Sequence, residues 1–86
     1  MFSSRALESF WDCYRLLPAD VRDAARKQYA LFQSNPSHPS LRFKRIRGMW
    51  CARVTEDYRA LALQENGEYH WFWIGKHDIY ERQIGR

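Results

Sequence analysis

Arg59 and His77 are the residues of this chain whose types suit work on a phosphodiester, and Tyr80 follows close behind the histidine. Histidine takes up and returns protons nearest neutral pH, an arginine fork neutralises and orients phosphate oxygens, and a phenol adds a further polar contact. Each has a plainer reading alone: His77 as a satisfied histidine near the C-terminus, Tyr80 as an amphipathic core residue with its hydroxyl at the surface, Asp78 as a cap or local ion pair. Arg42, Lys44, Arg45 and Arg47 form the densest basic cluster, interrupted only by Phe43 and Ile46. They read either as an edge that tracks phosphates or as a charged edge strand that discourages sheet-to-sheet aggregation. Trp71 and Trp73 could stack on bases, but core packing is the preferred reading for both. His38 and His70 have no partner at metal-ligand spacing, and Cys13 and Cys51 form neither a CxxC pair nor a ligand cluster. No metal, cofactor or disulfide is expected.

The elements that must position these groups change character once, at Ser34-Asn35-Pro36-Ser37-His38-Pro39-Ser40. Before it the apolar period is helical: Leu7, Phe10, Trp11 and Tyr14 make one stripe, and Val21, Ala25, Tyr29 and Phe32 another. Ser3 or Ser4 can cap the first helix, Pro18 opens the second, and Asn35-Pro36 ends it. After it, Leu41 to Ile46, Met49 to Val54, Arg59 to Gln64 and Tyr69 to Ile74 read as strands of an antiparallel meander, with breaks at Arg47-Gly48 and Asn66-Gly67. Counting back from Asn66-Gly67 places Ala62 opposite Trp71, Ala60 opposite Trp73, and Arg59 opposite Ile74. The turn at Thr55-Glu56-Asp57 can be a two-residue or a three-residue loop, which changes the side chains that share a face. The preferred three-residue loop puts Trp50, Ala52, Val54, Tyr58, Ala60, Ala62, Trp71 and Trp73 on the face that receives the helices. Cys51, Arg53, Arg59, Leu61 and Phe72 then share the other, and His77 emerges at the Arg59 end of the sheet. The expected fold is α+β, an N-terminal helical hairpin packed on a three- to four-stranded antiparallel sheet.

Composition sets the outer limits. Eighty-six residues, 45% apolar and 16% aromatic, allow one core and one domain over residues 1–86, and exclude a fully disordered chain. No apolar run approaches the ~18 residues of a membrane span, and the N-terminus has no apolar signal segment, so a cytoplasmic location is expected. The net charge of +4 is unevenly spread: residues 35–62 hold six basic and two acidic side chains, while the flanking segments nearly balance. A local cationic surface of this kind attracts a polyanion without sequence readout.

Several segments taken in order carry a resemblance: Leu17-Pro18, Val21-Arg22, Lys27-Gln28-Tyr29, Leu31-Phe32, Asn35-Pro36 and His38 to Ile46; then Ala52-Arg53-Val54 and Glu56 to Leu61; then Trp71 to Arg82. From about Leu17 to Ile84 the chain resembles the RelE/ParE toxin superfamily of bacterial toxin-antitoxin systems. The Tyr58-Arg59 and Ile74-Gly75-Lys76-His77 segments are its most recognisable pieces. The resemblance implies a small toxin neutralised by a cognate antitoxin. RelE-type members cut mRNA in the ribosomal A site without a metal: the 2′-hydroxyl attacks the adjacent phosphate while side chains serve as base, acid and transition-state stabiliser.

Carried over by position, Arg59 contacts the scissile phosphate, His77 is the acid or base, and Tyr80 occupies the C-terminal aromatic position. Arg42, Lys44, Arg45, Arg47, Arg53 and Lys76 form the RNA-binding surface. Two departures stand out. Met1 to Ser4 leads straight into the first helix, so the family's N-terminal strand is expected to be missing. Where RelE-type toxins carry lysines on the strand before the Tyr-Arg pair, this chain has Trp50, Cys51 and Ala52, which leaves a second proton-transfer group unassigned, with Lys44 and Lys76 as candidates. The reading is a ribosome-dependent mRNA endonuclease toxin; the alternative is a non-catalytic ParE-like inhibitor of gyrase, or a degenerate toxin that only binds its antitoxin.

Overall fold

The computed structural model describes residues 3–83. In chain order the elements are β1 (Ser3–Ala6), α1 (Glu8–Tyr14), α2 (Ala19–Ser34), a 3-10 turn (Pro39–Leu41), β2 (Lys44–Ile46), β3 (Met49–Arg53), β4 (Tyr58–Glu65), β5 (Glu68–Lys76) and α3 (His77–Gln83). The strands form one mixed sheet in the order β1-β5-β4-β3-β2. The expected helical hairpin on a sheet is present, but the sheet has five strands.

The added strand corrects the expectation that the N-terminal strand is missing. Ser3 to Ala6 pairs in parallel with β5, with Ser4 opposite Tyr69 and Ala6 opposite Trp71, while Met1 and Phe2 lie outside the described residues. Two serines, an arginine and an alanine give this strand no apolar alternation to read; its backbone finds partners on the edge of β5, a continuation marked by the Leu7 N–H donating to the Trp71 carbonyl at 2.9 Å. Ser3 and Ser4 therefore do not cap α1, which has Leu7 at its N-cap without a side-chain hydrogen bond. Pro18 opens α2 as expected, and Asn35 is its C-cap.

Phe32 fastens α2 to the sheet. At 1% exposure it packs edge-on against Phe43 at 5.0 Å, Trp71 at 5.3 Å and Tyr69 at 5.7 Å, in a core completed by Val21, Leu41, Ala52, Val54, Ala60, Ala62 and Ile74. Aromatic rings of this size meet edge to face because each ring's positive rim is drawn to its neighbour's negative face.

The β3–β4 register matches the three-residue loop, with Trp50 opposite Ala62, Ala52 opposite Ala60, and Arg53 opposite Arg59. At the β4–β5 hairpin, Asn66 and Gly67 have φ of 53° and 79°, the left-handed pair that a tight primed turn requires. Ala62 faces Trp71 as expected, but a bulge follows: Leu61 faces Trp73, Ala60 faces Ile74 and Arg59 faces Gly75. Phe72 is the extra residue. The bulge overturns the expected Ala60–Trp73 and Arg59–Ile74 pairs and sends Trp73 to the opposite face, where it packs near Cys51, Leu61 and Tyr80. A Cβ on Gly75 would lie 2.6 Å from the Trp73 ring, so the indole occupies space that only glycine leaves free. Finally, α3 covers part of the sheet face expected to be open, burying Tyr80 against Cys51 and Leu61.

Candidate active site at the end of the sheet

Arg59 sits at the start of β4 between two neighbours, Arg53 on β3 and the side-chain-free Gly75 on β5. Its guanidinium is held from one side. Nη1 donates to the carbonyls of Thr55 at 2.7 Å, Tyr58 at 2.9 Å and Glu56 at 3.1 Å. Among the described residues, Nε and Nη2 have no hydrogen-bond partner, leaving the edge of the fork that matches two oxygens of a phosphate or carboxylate.

His77 is the first residue of α3 and is exposed. Its backbone N–H, one of the donors that a helix start leaves without an intrahelical acceptor, donates to the Asp57 carbonyl at 2.7 Å. The same β3–β4 loop that grips Arg59 therefore fixes the start of α3. One helical turn on, the Tyr80 ring lies 5.2 Å from the His77 imidazole at an angle of 33°, the contact expected of side chains separated by one turn.

Tyr80 is buried as a residue, packed against Cys51 and Leu61, with the Cys51 thiol within hydrogen-bonding reach of its hydroxyl. Burial foremost, then the adjacent Cys51 and Glu81, push its pKa up to about 12 against the opposing pull of Arg59. Burial also pushes the Cys51 thiol up, offset by the Tyr80 hydrogen bond and by the Arg59 and Lys44 charges. Tyr80 is therefore a protonated phenol at neutral pH, suited to holding the His77 ring rather than to removing a proton. Sequence reasoning missed Cys51 as its partner. The available signal was that Cys51 shares a sheet face with Arg59, but the contact depends on α3.

The basic residues divide by strand register. Lys44 lies opposite Cys51 on the Arg59 face, and Arg53 lies directly beside Arg59. Arg45 pairs with Trp50 and Lys76 with Tyr58, which places both on the opposite side of the sheet. Arg42 and Arg47 stand in loops at left-handed φ of 45° and 50° beside the edge strand β2. The structure thus gathers Lys44, Arg53, Arg59, His77, Tyr80 and Cys51, and sets Arg42, Arg45, Arg47 and Lys76 apart. Among the described residues none of these lysines and arginines forms a salt bridge, so their charge is not spent within the fold. The described residues contain no group of three or more His, Cys, Asp or Glu that could hold a metal. His38 has a structural part, its Nδ1 accepting from the Ser40 N–H at 3.2 Å to cap the 3-10 turn.

A mixed sheet under a helical hairpin, with a Tyr-Arg pair opening one strand and a Gly-Lys-His segment closing the next, defines a small toxin fold. The family model for the ParE-like toxin domain matches residues 19–82, and the chain belongs to that family within the RelE/ParE toxin superfamily. Its fold is similar to YafQ from E. coli strain BL21(DE3), with 13% identity, a TM-score of 0.70, and 93% of this chain and 98% of that one covered. It is also similar to a chain of the RelB-RelE antitoxin-toxin complex from Methanococcus jannaschii, at 15% identity and TM-score 0.70 over 90% of this chain and 95% of that one. The YoeB/ParE toxin from Agrobacterium tumefaciens matches at 14% identity and TM-score 0.67, covering 87% and 98%. No curated protein sequence matches the chain. No helix among the described residues is long and apolar enough to cross a membrane.

Proposed function

We propose that this chain is the toxin of a type II toxin-antitoxin pair and acts as a ribosome-dependent mRNA endonuclease in the cytoplasm, held in check by a cognate antitoxin. The observation that carries the reading is the half-satisfied Arg59 fork at the sheet end where His77 begins α3, on a sheet face that also bears Lys44 and Arg53, neither of them in a salt bridge among the described residues. The Nε and Nη2 edge of Arg59 takes two oxygens of the scissile phosphate and neutralises the charge that grows as the 2′-hydroxyl attacks. His77 takes the hydroxyl proton or returns one to the leaving 5′-oxygen. Tyr80 keeps the imidazole in place, and its own proton stays on the phenol. Lys44 and Arg53 follow the flanking phosphates.

Controlled expression of the chain is expected to arrest growth with cut transcripts, and His77→Ala to remove both effects while the antitoxin still binds. Intact transcripts during arrest, or full toxicity of His77→Ala, would overturn the reading.

A second reading is a ParE-like toxin that inhibits gyrase by binding it. It is favoured by the ParE-like family match and by Trp50, Cys51 and Ala52 on β3, where RelE-type toxins carry lysines. It predicts inhibition of gyrase supercoiling by the purified chain and no cleavage on translating ribosomes.

A further inference from the structure

Three consecutive carbonyls of the β3–β4 loop accept from the two residues assigned to the chemistry, from the guanidinium of Arg59 and from the backbone of His77. Those of Thr55 and Glu56 hold Arg59 Nη1, and that of Asp57 holds the His77 N–H. A backbone carbonyl points where its peptide plane points, so the position of the guanidinium relative to the His77 backbone at the start of α3 depends on the conformation of this loop. Within the loop a single side chain makes a hydrogen bond among the described residues: Thr55 Oγ1 accepts from the Asp57 N–H at 3.2 Å. That contact closes a local turn of the kind serine and threonine hydroxyls form with a backbone N–H two residues on. It lies between the carbonyls that grip Arg59 and the one that grips α3.

We propose that Thr55 is a positioning residue, its hydroxyl shaping the Thr55–Asp57 loop so that the loop carbonyls hold the Arg59 fork and the start of α3 in register with one another. The inference rests on the reading of Arg59 and His77 as the RNA-cleaving pair. The hydroxyl touches neither substrate nor reacting atoms. Its effect passes through the backbone of Asp57, whose N–H, in the same peptide plane as the Glu56 carbonyl, donates to Thr55 and whose own carbonyl accepts from the His77 N–H. With both protons of Nη1 committed to carbonyls, the guanidinium presents its Nε and Nη2 edge without searching rotamers. Preset geometry of this kind acts on the rate of a bound complex rather than on its formation.

The test compares Thr55→Val, which keeps the shape and removes the hydroxyl, with Thr55→Ser, which keeps the hydroxyl. Thermal melts establish that both fold. Single-turnover cleavage on mRNA-programmed ribosomes, titrated with toxin, separates maximal rate from half-saturating concentration. Nitrogen-15 NMR of the arginine side chains reports whether Arg59 Nη1 remains held. The expected result for Thr55→Val is a maximal rate lower by about tenfold or more, with half-saturation unchanged within about twofold and the held Nη1 signals lost, while Thr55→Ser stays near the wild type in all three.

A wild-type rate in Thr55→Val, or a Thr55→Ser variant as slow as Thr55→Val, overturns the assignment. Should the wild-type chain cleave no transcript, the RNase reading falls, and the NMR comparison decides the loop's part by itself: unchanged Nη1 signals in Thr55→Val reject it, and their loss restored by Thr55→Ser retains it.

Discussion

The two faces of the sheet are built from the same strands and do opposite things. Toward α1 and α2 lies an aromatic core of Phe32, Phe43, Trp50, Tyr69 and Trp71, with alanines beneath the large rings. Toward α3 lies a smaller patch of Cys51, Leu61 and Tyr80, with Arg59 and Lys44 close enough to act on its thiol. Strand alternation makes such a division inexpensive, because one chain segment supplies both faces. Stability is concentrated on one face, which leaves the other free to hold unpaired cations.

The sharpest way to test that division is to empty the aromatic core. Phe32→Ala should cost about 3–5 kcal/mol of stability, enough to unfold a domain this small, as read by denaturant melts. Loss of the Arg59 fork should instead spare the fold. Arg59→Ala is expected to slow transcript cleavage by about a hundredfold or more while the melting temperature moves only a few degrees; a comparable collapse of stability would erase the contrast between the faces.

Gly75→Ala probes the place where the faces meet, since its added methyl runs into the Trp73 ring at 2.6 Å. About 1–3 kcal/mol of destabilisation is expected, measured by the same melts. Tyr80→Phe is the mildest change, costing about 1 kcal/mol for the lost hydrogen bond to Cys51, and its signature is in the pH dependence. The folded pKa of Tyr80 is raised from 10.0 to about 12, so its contribution is complete below pH 10 and disappears as pH rises toward 12, where the unfolded chain has already shed the proton. The wild type should lose stability across that window, and Tyr80→Phe should lose less.

Much of this arrangement is legible in the sequence, and the gaps have physical causes. Asn66-Gly67 announces its turn because few other pairs tolerate two left-handed residues, and the Ala62–Trp71 pair follows from counting. The count fails further along because Trp71-Phe72-Trp73-Ile74 is apolar throughout. An inserted residue leaves no break in alternation, so nothing marks Trp73 as belonging with Cys51. β1 escapes notice because Ser3 to Ala6 has no alternation and its partner lies near the other end of the chain. α3 is too short to show a stripe, and with it went the packing of Tyr80 on Cys51 and Leu61. Arg59 and His77 are visible as residue types, and their placement at one end of the sheet survives the bulge because Gly75, Lys76 and His77 follow directly from the strand that pairs with Arg59.

The parallel pairing of β1 with β5 also orders events during synthesis. Among the described strands β1 is made before all others and its partner β5 after all others, so the β1 edge of the sheet stays open until β5 has been added, whereas the β2 edge can form on β3 beforehand. Contacts between segments so distant in the chain are slow to form because a long loop must close before they are rewarded. Every nascent chain that stops short of β5 lacks both the partner of β1 and His77, so the segment from Glu68 to His77 completes the pairing of β1 and the site together.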